Sequence, residues 1–187
     1  MLTWLRARGQ IGRTATKLYG SVVAQSRDPA FYAIHSVPDT PEGRFDLLIV
    51  HLYLVLERLR REGEACEALS RSLVETFITD MDDAMRELGV GDLSVPRKVK
   101  RAAAALYDRL YEYRAAMAAA DSELLVEAVR RNVYGSVAVA EPSARGAHAI
   151  AAYMCNAATA LAAQAAAELL AGRIVFPAAS NGKGGER

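Results

Sequence analysis

The densest group of residues that could do chemistry lies between positions 80 and 101. Its first half carries a net charge of −4, from five acids and one arginine: Asp80, Asp82, Asp83, Glu87, Asp92 and Arg86. Its second half carries +4, from Arg97, Lys98, Lys100 and Arg101. Carboxylates at such spacing could hold a metal ion, and both signs of charge could bind a partner.

Three motifs that would assign a chemistry to this stretch are incomplete. Gly89-Val90-Gly91 could open a dinucleotide loop, but no strand precedes it and Ser94 stands where a third glycine is required. A calcium loop would need a glycine at Met85, and a di-iron site would need a Glu-x-x-His pair. Because no serine or cysteine has an adjacent histidine pattern either, we predict a protein that is not an enzyme and that holds no metal or cofactor.

Apolar residues recur every three or four positions on both sides of Gly89-Val90-Gly91, which predicts two helices joined by a tight corner. Before the corner they are Leu69, Leu73, Phe77, Met81, Ala84 and Leu88, and after it Val99, Ala103, Leu106, Leu110, Tyr113 and Met117. Gly89 suits the left-handed residue beyond a helix end, with Val90 folding back on Met85. Ser94 and Pro96 suit the start of the second helix.

The charges of this stretch lie at unfavourable helix ends, since acids are disfavoured at a C-terminus and cations at an N-terminus. One interpretation is that the two helices run antiparallel, so that the acidic end and the basic start neutralise each other. The other is that some of these groups contact a partner, because local preferences tend to be broken at functional sites. The sequence leaves both open.

The whole chain has the composition of an all-α protein. It has 187 residues and a net charge of +1, which argues against nucleic-acid binding over a broad surface. We predict a single compact multi-helix domain of about six or seven helices. Cys66 and Cys155 lie far apart without a partner motif, which favours packing roles in a reduced compartment.

Residues 47–56 are apolar almost all round, which predicts a central buried helix that is too short to span a membrane. We expect His51 within it to be a buried neutral histidine bonded to a neighbour. Pro38, Pro41 and Gly43 before this helix are expected to form a loop. An alanine-rich helix is predicted at about 144–171, where His148 and other polar residues argue against a membrane span.

The two ends of the chain differ in charge. Residues 1–16 are basic and free of acid, and could lie on an anionic membrane surface or simply begin the first helix. Residues 17–172 are expected to form the helical domain. We expect residues 173–187, which end in a glycine-rich stretch, to be a disordered tail. The chain begins without the continuous apolar core of a secretory signal.

Four stretches give the chain a family likeness. They are LYGSVVAQSRDPAFY, VPDTPEGRFDLLIVHLYLVLERL, FITDMDDAMRELGVGDLSVPRKVK and LYDRLYEYRAA. Together they resemble the ubiquinol–cytochrome c reductase chaperone family over about residues 17–134, in a bacterial style. The resemblance implies a helical assembly factor that binds newly made cytochrome b as its client. It further implies contacts with the ribosome exit region, a small partner protein and the peripheral membrane surface.

The resemblance also carries over particular positions. The expected partner-binding residues are Asp39, Arg44, Asp82, Arg86, Glu87, Asp92, Lys98, Arg109 and Tyr113, with Gly43, Gly89 and Gly91 as matching glycines. Asp108 departs from the family, where a glycine is expected before the arginine. The implied location is cytoplasmic, peripheral to the inner membrane, with no specific nucleic-acid partner. The alternatives are a non-catalytic membrane-surface adaptor and a helical enzyme with an unrecognised site.

Overall fold

A computed structural model describes residues 2–119, 121–135 and 141–179, leaving out the side chains of 2–7, 65, 141 and 142. Its helices are α1 (Leu2–Ser26), α2 (Pro29–Ala33), α3 (Pro41–Arg60), α4 (Glu67–Glu87), α5 (Val95–Ala118), α6 (Ser122–Val133), α7 (Glu141–Ala162) and α8 (Ala166–Leu170). A 3-10 turn, Gly63–Cys66, precedes α4. No strand occurs in these ranges, and the all-α prediction is confirmed.

Helix α3 is the centre of the domain, as predicted. Every residue from Asp46 to Leu56 is buried, and α1, α4, α5, α6 and α7 all pack against the helix. Its start lies further upstream than expected, because Pro41 occupies the first turn and the Thr40 hydroxyl accepts a hydrogen bond from the Gly43 amide at 3.1 Å. The loop predicted to include Pro41 and Gly43 therefore ends at Thr40.

His51 lies inside this core as the neutral histidine that the sequence predicted. Nδ1 donates to the Leu47 carbonyl oxygen at 2.8 Å, which leaves Nε2 to accept from the Tyr153 hydroxyl at 2.9 Å. Burial lowers the pKa of His51 to about 4, although the bond to Leu47 works in the opposite direction. The ring therefore joins α3 to α7 as an uncharged packing residue.

The C-terminal part of the chain differs from the single long helix that the sequence predicted. Helix α7 ends at Ala162, and the Gln164 side chain then bonds the Val175 backbone through both its oxygen and its nitrogen. Residues 173–179 of the expected tail pack on the domain, where the Ala179 carbonyl lies 2.7 Å from His35 Nε2. Residues 180–187 lie outside the described residues.

The basic N-terminal segment belongs to a longer helix. Residues 2–16 form the first part of α1, which continues without a break to Ser26 and packs against α3 and α4. Full burial begins at Thr14 and Ala15, and Ile11 before them is partly buried against the core. Among the described residues, no helix has both the length and the apolar character needed to cross a membrane.

Candidate partner-binding site

The α4–α5 corner, residues 88–94, has the backbone geometry that the sequence predicted. Gly89 has a φ of 73° and donates to the Arg86 carbonyl at 2.9 Å, while the Val90 amide donates to the Met85 carbonyl at 3.1 Å. These two bonds are those of a glycine-terminated helix with a left-handed residue. Ser94 precedes α5, but its side chain makes no capping bond. The corner thus turns the chain from α4 into α5 within a few residues.

The charges near the corner pair within the acidic half of the stretch. The Arg86 guanidinium lies 2.6 Å from Asp82 and 2.7 Å from Asp92. In the described part of the chain, no acid from residues 80–92 comes within ion-pair distance of the four cations at 97–101. The sequence allowed the interpretation that the two halves neutralise each other directly. The ion pairs do not have this arrangement.

The two charged halves instead line adjoining depressions. The basic pocket, about 690 Å³, lies between α3, α4, α5 and α6, and its charged lining comprises Glu42, Asp46, Lys98, Arg101, Arg109 and Arg131. The acidic pocket, about 670 Å³, lies on the other side of α4, and its charged lining comprises Arg27, Arg44, Asp80, Asp83 and Glu87. Because Pro41, Phe45, Met81 and Met85 line both, the pockets form one surface, which we call the groove.

A nearly buried ion pair lies at the floor of the basic pocket. Arg109 Nη2 and Asp46 Oδ1 are 2.6 Å apart, and the side chains are 19% and 10% exposed. Burial raises the pKa of Asp46 to about 6; Arg109 opposes this rise, and Glu42 adds to it. The Arg109 guanidinium carbon also lies 5.9 Å from the centre of the Phe45 ring. The pair therefore fixes α5 against α3 beneath the apolar centre of the groove.

Asp46 was not among the residues that the sequence singled out. Its signal was present, because an acid directly before the apolar run of a buried helix needs a partner. Arg109 was expected only through the family resemblance. The departure at Asp108 leaves the pair intact, since that side chain is exposed whereas Arg109 points to Asp46.

The remaining expected residues fall in different places. Arg44, Glu87 and Lys98 line the groove together with Arg109. Asp39 reaches its edge through an exposed ion pair with Arg44, with Oδ1 and Nε 2.7 Å apart. The other expected contacts lie outside the groove lining: Asp82, Arg86 and Asp92, which form the paired cluster at the corner.

Tyr113 is a core residue rather than a surface one. It is 0% exposed, and its ring centre lies 5.5 Å from that of Tyr53. Burial raises its pKa, and Asp46 adds to the rise. Tyr113 lies one helical turn beyond Arg109, so its position suits support of the Asp46–Arg109 pair and excludes direct contact with a partner in this conformation.

The family of the chain follows from comparison with known proteins. Residues 33–176 match the model of the family described as Ubiquinol-cytochrome C chaperone, which is more than half of the chain. The chain therefore belongs to this family, and the resemblance found in the sequence is confirmed.

Two similar proteins add detail. The chain is 22% identical over 119 residues to the Xenopus laevis protein named ubiquinol-cytochrome-c reductase complex assembly factor 1. That match covers 64% of this chain and 59% of the frog protein. The crystal structure of the Cbp3 homolog from Brucella abortus superposes with a TM-score of 0.82 at 31% identity, covering 96% of this chain and 98% of that one. The fold described above is thus shared over nearly the whole chain.

Proposed function

We propose that this chain binds newly made cytochrome b in the groove and so promotes assembly of the ubiquinol–cytochrome c reductase complex. An assembly role is supported by the family, described as a ubiquinol–cytochrome c chaperone, and by the name of the frog relative. Cytochrome b as the client, and the groove as its binding site, are our inferences. The observation that carries them is an open apolar strip between charged pockets.

The strip consists of Phe45, Met81 and Met85, which are shared by both pockets and are only partly buried. Methionine is flexible and polarisable, so such a surface can pack against apolar segments of varied shape. A membrane-protein client exposes such segments before it is inserted. The exposed Leu88 at the edge of the acidic pocket extends the strip towards the corner.

The proposed role is binding without catalysis. Asp46 is the groove acid with a raised pKa, and Arg109 already holds it in a pair at the floor. This arrangement suits a structural connection between α3 and α5. We assign contact roles to the expected residues at or near the groove, namely Asp39, Arg44, Glu87 and Lys98, and supporting roles to Arg109 and Tyr113.

The other expectations from the family resemblance stay proposals. They are a location at the cytoplasmic face of the inner membrane, contact with the ribosome exit region, and a small partner protein. The division into a basic segment, a helical domain and a tail also stays a proposal, with the start of the tail moved beyond Ala179.

Site-specific cross-linking tests the groove directly. A photoreactive benzoylphenylalanine in place of Met85 should cross-link to newly made cytochrome b in intact cells. The matched control replaces Ala152, an exposed α7 residue outside the groove lining, and should give no such product. Cross-linking of cytochrome b from neither position, or equally from both, would contradict the groove as the binding site.

Deletion of the gene tests the function itself. Membranes of the deletion strain should contain less cytochrome b, while an unrelated terminal oxidase stays at its usual level. Unchanged cytochrome b under every growth condition tried would contradict the assembly role.

A further inference from the structure

We propose that the groove selects a client segment whose apolar centre is flanked by acidic residues on one side and basic residues on the other. The acidic side of the segment lies over the basic pocket, and its basic side lies over the acidic pocket. This inference rests on the proposed function, because it specifies the chemistry of the client segment that the groove binds. Its physical basis is that the pockets have opposite charge and share an apolar strip.

The acidic pocket has an excess of negative charge. Asp80, Asp83 and Glu87 recur on one face of α4, and they outnumber the two arginines of the pocket lining. One of these, Arg44, is already paired with Asp39 outside the lining, which leaves a net charge of −2 from the three acids and Arg27.

The acids of this pocket differ in how they are engaged. Asp80 accepts a hydrogen bond from the Tyr19 hydroxyl at 2.7 Å. Asp83 and Glu87 form no ion pair with any described residue, and both are exposed. These two carboxylates are the groups available to a cationic side chain of the client.

The basic pocket has the opposite excess. Its four cations and two acids give a net charge of +2, or +1 once Arg131 is set aside because its partner Glu112 lies outside the lining. Arg131 is paired with Glu112 and Arg109 with Asp46, so both are already engaged. Lys98 and Arg101 are exposed and lack an ion pair within the described ranges, which makes them the available cations.

The separation of the two charges makes the groove selective. Because the shared apolar strip lies between the pockets, their free charges do not cancel each other by contact. A segment with the matching charge order forms favourable pairs on both sides, whereas a segment with one sign of charge at both ends is repelled by one pocket. Selection against segments with a single sign of charge therefore comes from repulsion as well as from the loss of attraction.

Peptide binding to the full-length protein tests this charge order. The probes share a Leu- and Met-rich centre and differ in their ends: Glu at one end and Lys at the other, Lys at both ends, or Glu at both ends. Calorimetry or fluorescence anisotropy should show that the wild type binds the mixed-end peptide about tenfold more tightly than either single-sign peptide. This comparison holds whichever direction the peptide runs along the groove.

Charge-reversal variants then assign each pocket. The variant K98E/R101E makes both pockets acidic, so it should prefer the peptide with Lys at both ends. The variant D83K/E87K makes both basic and should prefer the peptide with Glu at both ends. The matched control R97E/K100E changes net charge as K98E/R101E does, but at exposed α5 positions outside the groove lining, and should keep the wild-type preference.

Circular dichroism confirms folding of each variant before binding is measured. The inference is overturned if the wild type binds all three peptides equally or binds none, or if R97E/K100E changes preference as K98E/R101E does. Any of these results with cytochrome b still cross-linked at position 85 would leave the proposed function standing. If the otherwise unchanged protein with benzoylphenylalanine at position 85 gave no cross-link to cytochrome b, the proposed binding of cytochrome b in the groove would itself be contradicted.

Discussion

Arg109 on α5 holds Asp46 on α3 across the floor of the basic pocket, with Nη2 and Oδ1 2.6 Å apart. The two residues are far apart in sequence, and Asp46 directly precedes the apolar run of residues 47–56. Burial of Asp46 outweighs the attraction of Arg109, so the carboxyl has a pKa of about 6. The pair therefore connects α3 and α5 through a carboxyl group that titrates in a mildly acidic range.

The pH dependence of stability should show this carboxyl. Between its ordinary value of 3.8 and its folded pKa of about 6, the folded state binds more protons than the unfolded state. Stability contributed by Asp46 is therefore present below about pH 4 and is lost, by about 2–3 kcal/mol, as pH rises towards 6. The variant D46N should lack this contribution to the change of unfolding free energy with pH.

Urea unfolding between pH 4 and pH 7 measures the unfolding free energy of the wild type and of D46N. The other acids are common to both proteins, so their contribution cancels in the difference. D108N, a change at an exposed α5 acid, is the matched control and should keep the wild-type slope. Parallel curves for the wild type and D46N would show that Asp46 does not titrate in this window.

Gly43 should be intolerant of even one added methyl group. A Cβ at this helical position would overlap the Pro38 carbonyl oxygen, because the chain before α3 passes close to its first turn. The variant G43A should lower the free energy of unfolding by about 1–3 kcal/mol. Gly12 in α1 offers a matched control, since a Cβ there meets no atom within 4 Å, and G12A should raise stability by up to about 1 kcal/mol. Equal effects of the two changes would contradict the close approach at Pro38.

Local geometry was accessible to sequence reasoning, and contacts between helices were not. The bonds that end α4 at Gly89 depend on neighbouring residues, so a glycine after a periodic apolar run was sufficient to predict them. The sharing of Met81 and Met85 by two pockets depends on how α3, α4 and α5 pack. Periodicity shows which face of a helix is buried without showing which helix covers it.

The same limit explains the assignments that changed. Tyr113 was expected at a partner surface because of the resemblance, yet its place in the apolar repeat of α5 already indicated the core. Residues 173–179 were expected to belong to the tail because a glycine-rich stretch follows them, although Ile174, Val175 and Phe176 are large and apolar. Their order depends instead on distant partners, such as Gln164 and His35.

The basic start of α1 should bind anionic membranes. Arg6, Arg8, Arg13 and Lys17 lie in a segment without acids, and each basic residue near such a surface adds up to about 1 kcal/mol of attraction at low salt. In sedimentation with phosphatidylserine-containing vesicles, a form truncated before residue 11, which lacks Arg6 and Arg8, should bind more weakly than the full chain. The binding should weaken with added salt, and neutral vesicles serve as the control. Equal binding by both forms would assign this segment to the fold alone.

The charges of the acidic pocket and the basic pocket should contribute to client binding without stabilising each other. Since Asp83 and Glu87 do not pair with Lys98 or Arg101, the changes D83K/E87K and K98E/R101E should have additive effects on the free energy of unfolding, to within about 0.5 kcal/mol. Each change alone should cost little, because exposed charges contribute about 1 kcal/mol or less.

Cytochrome b accumulation should behave differently from stability. Either reversal should lower it in cells, and the combined reversal should not restore it, because the client keeps its original charges and backbone direction. Immunoblots of membranes from strains carrying each variant, with protein levels matched, provide the measurement. The prediction would be contradicted if the combined reversal restored cytochrome b and the two changes also stabilised each other. The charges of the two pockets would then act on each other and not on a client.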